Sequence, residues 1–328
     1  MSTHLTSMIL NSPKRLAVPI GAYAGLPLTG ATVYDVVTNP RAQAEVQQAF
    51  SERFHPPFLL TAMDLSAEAQ AFGGQVVMSG NEVPTIVGRR ITNLEQVQAL
   101  TCPQPGDART AVHLEAARLL AALPNGQPVV GGIIGPFSLA GRLFGVSEAL
   151  EMTMSEPETV HALLQKVTQF LIAYAHEFHR AGAAGVIMAE PAAGLLSPRA
   201  LAAFSSVYVR QIIDAVQVPD FTVILHNCGA RLVHLSRILE SGAEIYHFGA
   251  PMDLPAALGQ VDDAVILAGN LDPSAVFFGG DPGLVCSKTH ELLAAVAGRR
   301  NFVLSSGCDL PPGTPLENLE AFYAAMEA

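Results

Sequence analysis

The sequence predicts an α/β protein folded as a (β/α)8 barrel, and three observations carry that prediction. Short apolar runs rich in β-branched residues alternate with longer segments whose apolar residues recur every three or four positions, the pattern of repeated βαβ units on a parallel sheet. No Gly/Ser-rich linker divides the 328 residues, so one barrel domain over 1–328 is simpler than two domains. No Gly-x-Gly-x-x-Gly follows any strand, which removes the dinucleotide fingerprint of the rival doubly wound sheet.

In chain order, an N-terminal extension leads to Arg15–Ile20, the candidate for an eighth strand, and then to a helix predicted over Arg41–Phe54. The seven clear strands are Phe58–Ala62, Val129–Ile134, Gly185–Ala189, Thr222–Leu225, Glu244–Phe248, Val265–Ala268 and Phe302–Ser305. Helical spacing fills the intervals at Ala108–Ala122, Pro157–Ala181, Pro198–Val216, Arg231–Ser241, Gly283–Ala297 and Pro315–Met326. Several of these open with Pro or an acidic residue, as the first helical turn prefers. Residues 71–90 read as an excursion from the barrel, a hairpin or cover, because Val76–Met78 and Thr85–Val87 flank the polar Ser79-Gly80-Asn81-Glu82.

Composition sets the broad class. Half the residues are hydrophobic, 14% are charged and Trp is absent, which suits a large core of small aliphatic side chains. A net charge of −11 with no basic stripe argues against nucleic acid as a partner, because phosphate contacts need clustered Lys and Arg. The mean hydropathy of +0.34 belongs to a core, since no apolar run approaches the roughly 20 residues a membrane helix needs. The first ten residues lack a basic stretch followed by a long apolar segment, so a cytoplasmic location is expected. Four scattered cysteines are too few for a disulfide framework and are expected to be reduced, leaving thiolates free to bind metal.

The strongest local signal is Val223-Ile-Leu-His226-Asn-Cys228-Gly229, an apolar strand ending in two metal-capable side chains one residue apart. Positions i and i+2 of extended chain share a face, so both can point into the mouth of a barrel at the carboxyl end of one strand. Cys308, in Ser305-Ser306-Gly307-Cys308-Asp309 after the last strand, is a third candidate that barrel closure would bring close. One His and two Cys suit tetrahedral zinc with one position left open. A thiol entering that position would lose its proton to the field of the cation. The two cysteine thiolates would keep its sulfur electron-rich enough to attack a methyl group.

Other residues stand at strand ends. Glu190 could complete the zinc coordination or act as an acid beside it, against a reading as a helix cap. Asp64 could orient a ligand or hold an arginine, again against a cap. His247 is a weaker candidate for a polar contact. Cys102, before Pro103, and Cys286, inside a helix, read as structural.

With these residues in view, the sequence resembles the uroporphyrinogen decarboxylase superfamily, and within it the zinc-dependent methylcobamide:coenzyme M methyltransferase branch. The likeness spans nearly the whole chain. It runs through Gly30, Met63-Asp-Leu-Ser-Ala-Glu68-Ala-Gln-Ala-Phe-Gly73, Glu82-Val-Pro84-Thr85, Gly135-Pro136-Phe137-Ser138-Leu139, His226-Asn-Cys228-Gly229 and Gly307-Cys308-Asp-Leu-Pro311-Pro312-Gly-Thr314-Pro315-Leu-Glu-Asn318. The resemblance implies an eight-stranded barrel with zinc held by His226, Cys228 and Cys308. It also implies a methyl group delivered as methylcobamide by a separate corrinoid protein, with a small thiol as acceptor. The superfamily's decarboxylases carry an Arg-Gln-Ala-Gly-Arg clamp for porphyrinogen carboxylates, whereas this chain reads Lys14-Arg15-Leu-Ala-Val-Pro-Ile-Gly-Ala-Tyr23 in that region. Anionic groups entering an apolar cavity need paired cations, so a porphyrinogen would lack its holder. Two alternatives follow: a zinc-free lyase with Asp64 as acid or base, and a noncatalytic module that docks a corrinoid protein.

Overall fold

A computed structural model describes residues 2–326. Its strands, numbered along the chain, are β1 (Leu59–Leu60), β2 (Gln75–Val77), β3 (Thr85–Val87), β4 (Val129–Ile134), β5 (Gly185–Ala189), β6 (Thr222–Asn227), β7 (Ile245–Phe248), β8 (Ile266–Leu271) and β9 (Phe302–Ser306). Seven of them form one parallel sheet in chain order, β1-β4-β5-β6-β7-β8-β9, with β2 and β3 paired antiparallel as a separate hairpin. The excursion expected over residues 71–90 is therefore a hairpin.

Every residue of β4, β5, β6, β7 and β9 is buried, which is why these strands read as unbroken apolar runs rather than alternating ones. Successive side chains leave opposite faces of a strand. Val130, Ile187, Ile224, Ile245, Ile266 and Val303 meet on the inner face. Val129, Val186, Val223, Tyr246, Leu267 and Phe302 pack outward beneath the helices. The inner cluster takes in Leu60 from one edge of the sheet and Val303 from the other, so the sheet is curled around a common core.

The segment 15–20 lies along β9. Ala17 forms a parallel bridge with Leu304, Val18 N donates to Leu304 O at 2.8 Å, and Leu304 N donates to Leu16 O at 3.0 Å. This is where the eighth strand was expected. Among the described residues, however, no ladder joins the segment to β1. At the amino ends of the strands, helix His4–Leu10 inserts Leu5 and Ile9 into the inner core, and no described helix is long and apolar enough to cross a membrane.

The predicted helices form with small shifts at their ends, for example Pro40–Phe54, Thr110–Ala121, Pro157–Arg180 and Pro282–Ala295. Arg231–Ser241 is a 3-10 turn, Leu232–His234, followed by the short helix Leu235–Leu239. Two helices between β4 and the long helix, Pro136–Phe144 and Val146–Ser155, were not foreseen. In the first of them all residues but Arg142 are buried, so it shows no polar face from which a helical period could be read.

Candidate metal centre

Parallel pairing places the carboxyl ends of all seven strands on one side of the molecule, and the three expected metal ligands converge there. β6 continues two residues beyond the expected strand, so His226 is inside it and Cys228 is the first residue past its end. The turn that follows is tightened by Gly229 N donating to Asn227 Oδ1 at 3.2 Å. Cys308 stands two residues beyond β9. One ligand atom from each of His226, Cys228 and Cys308 lies within 4.8 Å of the others, and Cys308 Sγ is 3.6 Å from His226 Nε2. Nitrogen and sulfur ligands of a tetrahedral zinc stand about 3.5 Å apart, given bond lengths of about 2.0–2.1 and 2.3 Å. The donor set and its spacing therefore fit zinc. Close approach of the loops requires Gly249, since a Cβ there would overlap the Cys228 carbonyl.

The imidazole of His226 is buried, whereas both cysteines are partly accessible, so the site opens on its sulfur side. The Cys228 thiol is held below the ordinary thiol range, mainly by a hydrogen bond from Cys308 and further by His226, against the opposing effect of burial. Cys308 is pushed up correspondingly, because it shares its proton with Cys228, is buried and would otherwise place a second negative charge beside the first. A divalent cation held by these residues would remove that repulsion and let both ionise. The neighbouring Asp309 carboxyl is pushed up to about 8 by burial, against hydrogen bonds from Ala22 N and Leu310 N.

Behind the ligands, His226 and His247 are register partners in the β6–β7 ladder, with His226 Nδ1 2.8 Å from His247 Nδ1. His247, rated the weaker candidate in the sequence, thus contacts the site directly. Burial, and then the repulsion that two cationic rings side by side would meet, push its pKa well below the ordinary histidine value.

The structure does not bring Glu190 into the ligand group. Its carboxylate accepts from Phe137 N at 2.8 Å, Ser138 N at 3.0 Å and Ser138 Oγ at 2.8 Å, capping helix Pro136–Phe144 from the neighbouring strand. Glu190 thus serves as a helix cap, the alternative weighed for it, but the helix it caps precedes it in the chain rather than following it. Gly135, the N-cap position, lacks a capping side chain because a Cβ there would overlap Glu190. Burial pushes Glu190 up to about 7, against those hydrogen bonds.

Asp64 holds an arginine, one of the two roles expected of it. Arg109 donates to its Oδ2, and Ser66 Oγ donates to its Oδ1 at 2.6 Å. Arg109 also donates to Gln70 Oε1 and Ser66 Oγ, both at 2.7 Å. Beside this pair the sequence reading missed Glu68, whose carboxyl burial pushes up to about 8. Its Oε1 accepts from Ile134 N at 2.9 Å, and its Oε2 is buried with no partner. Glu68 lies in the quoted Met63–Gly73 stretch, but nothing local marks a helical glutamate as buried.

Fold and site together define a parallel α/β protein with one His and two Cys, able to hold a metal ion, gathered at the carboxyl ends of its strands. The model of the uroporphyrinogen decarboxylase (URO-D) family matches residues 22–328, and the chain belongs to that family. It is 29% identical over 287 residues to the methylcobamide:CoM methyltransferase MtbA of Methanosarcina acetivorans, a match covering 85% of this chain and 83% of that protein. It is 28% identical over 295 residues to a uroporphyrinogen decarboxylase of Synechococcus sp., covering 87% and 82% respectively. A solved methyltransferase from Methanosarcina mazei shares the fold, with a TM-score of 0.88 at 24% identity over 98% of this chain and 97% of that one.

Proposed function

We propose that this chain is a zinc-dependent methyltransferase that moves a methyl group between a methylcobamide, carried by a separate corrinoid protein, and a small thiol. The observation that carries the reading is the convergence of His226, Cys228 and Cys308 within 4.8 Å, with no fourth protein ligand in the group among the described residues. Similarity to methylcobamide:CoM methyltransferases supports the same chemistry. The segment 15–20 is read as the eighth strand, completing a (β/α)8 barrel that spans the chain as one domain, and the free thiols favour a reducing, cytoplasmic setting.

His226, Cys228 and Cys308 would hold the ion, with the fourth position toward the accessible sulfur side. When bound, zinc supplies the charge that makes an incoming thiol a thiolate at neutral pH. The two cysteines moderate that charge, and Glu190 secures a helix at the same end of the sheet rather than joining the ligands. A lyase reading draws on the decarboxylases among the relatives. It needs Asp64 available to substrate, but Asp64 is spent on Arg109 and Ser66. A noncatalytic docking module predicts corrinoid-protein binding without turnover.

The test is zinc quantitation in the wild type and in Cys308→Ala, coupled to demethylation of methylcobalamin with a panel of thiols. About one zinc per chain and thiol-dependent turnover are expected in the wild type, with both lost in the variant. Normal turnover by metal-free Cys308→Ala would overturn the proposal.

A further inference from the structure

We propose that His247 and Ser305 are positioning residues, a one-way hydrogen-bond relay that fixes the tautomer of His226 and turns its Nε2 lone pair toward Cys228 and Cys308. The inference rests on the metal-binding reading given above. The relay starts at the Val18 carbonyl, which can only accept. Ser305 Oγ lies 2.6 Å from it and donates its single proton there. Ser305 Oγ is then left as the acceptor for His247 Nε2, 2.8 Å away, so that nitrogen carries a hydrogen. The two ring nitrogens of His247 meet His226 and Ser305 and no carboxylate. A cationic ring would be an uncompensated charge in a site where His247 is 4% exposed and Ser305 fully buried. His247 is therefore neutral with a lone pair on Nδ1.

That lone pair faces His226 Nδ1 at 2.8 Å, so His226 donates from Nδ1 and its own lone pair resides on Nε2. Nε2 is the atom 3.6 Å from Cys308 Sγ. Three parts of the fold set this arrangement. The β6–β7 register places the two histidines opposite one another, β9 supplies Ser305, and the segment 15–20 supplies the terminal carbonyl. A ligating histidine whose other nitrogen has a fixed partner needs no tautomer change or ring rotation on binding its ion.

The test uses the full-length wild type, His247→Leu, His247→Gln and Ser305→Ala. Zinc affinity is measured by chelator competition, thermal midpoints are recorded, and the histidine tautomers of the metal-free protein are read by 15N NMR. His247→Leu and Ser305→Ala are expected to bind zinc about 10- to 100-fold more weakly, the usual effect of losing a partner behind a ligand. His247→Gln should recover most of the affinity, because its amide accepts from His226 through oxygen and donates to Ser305 through nitrogen. Metal-free wild type should show His226 protonated at Nδ1. A His226 with no proton on Nδ1, or wild-type zinc affinity in both His247→Leu and Ser305→Ala, overturns the relay. Weakened zinc binding that His247→Gln does not restore, in variants whose midpoints have all fallen, marks a packing role and overturns it too. If the wild type binds no zinc the metal reading fails, while the tautomer of His226 still decides the relay.

Discussion

Glu68→Gln should flatten the pH dependence of stability between about pH 5 and pH 8. Burial pushes the Glu68 carboxyl from its ordinary 4.5 up to about 8, and the nearby Asp64 charge adds to the rise. Arg109 offsets little because its guanidinium is committed to Asp64, Ser66 and Gln70. Below pH 4.5 the group is neutral both folded and unfolded, so the folded state loses nothing. As the pH rises toward 8, the unfolded chain releases the proton while the folded chain keeps it, and stability falls. At about 1.4 kcal/mol per pH unit, the full shift is worth at most about 5 kcal/mol by pH 8. Glutamine keeps an acceptor for Ile134 N, which donates to Glu68 Oε1 at 2.9 Å, and carries no proton to lose. Urea denaturation at pH 5 and pH 8 gives the check. The variant should lose several kcal/mol less than the wild type between the two conditions. Glu190, raised to about 7, acts in the same direction in both proteins and cancels in the difference. Equal losses would refute the claim that Glu68 is held protonated in the fold.

Three further changes separate structural from functional residues. Gly249→Ala puts a methyl group against the Cys228 carbonyl and should lower zinc affinity at least tenfold, read by chelator competition, while circular dichroism stays that of a folded protein. Asp64→Ala leaves Arg109 buried without its anion and should cost about 3–5 kcal/mol in urea denaturation. Under the methyltransferase reading, the protein that remains folded should still transfer methyl groups. Glu190→Ala strips the cap from Phe137 N, Ser138 N and Ser138 Oγ. Ser138 Oγ keeps Ala192 N as a partner, but the two buried backbone N–H groups are left unpaired at about 1–3 kcal/mol each, so this variant should be destabilised by at least about 2 kcal/mol without releasing zinc at low temperature.

What the sequence by itself determined follows from local rules. Strands buried on both faces announce themselves as apolar runs, and helices with one wet face by their three- and four-residue spacing. His226 and Cys228 were legible as a pair because alternate residues of extended chain share a face. Cys308 was legible by its matching place after the last strand. The tertiary structure decided everything that depends on which strand lies beside which. Glu190 could not be read as the cap of Pro136–Phe144, because a cap ordinarily comes from the adjoining residue and this one crosses from the end of β5, 52 positions from its nearest recipient. The partner of Asp64 is 45 residues away in sequence. His247 was only a weaker candidate for a polar contact until the β6–β7 register set it against His226. Hydrogen bonds and ion pairs act over about 3–4 Å, and only the curling of the sheet decides which remote residues come within that distance.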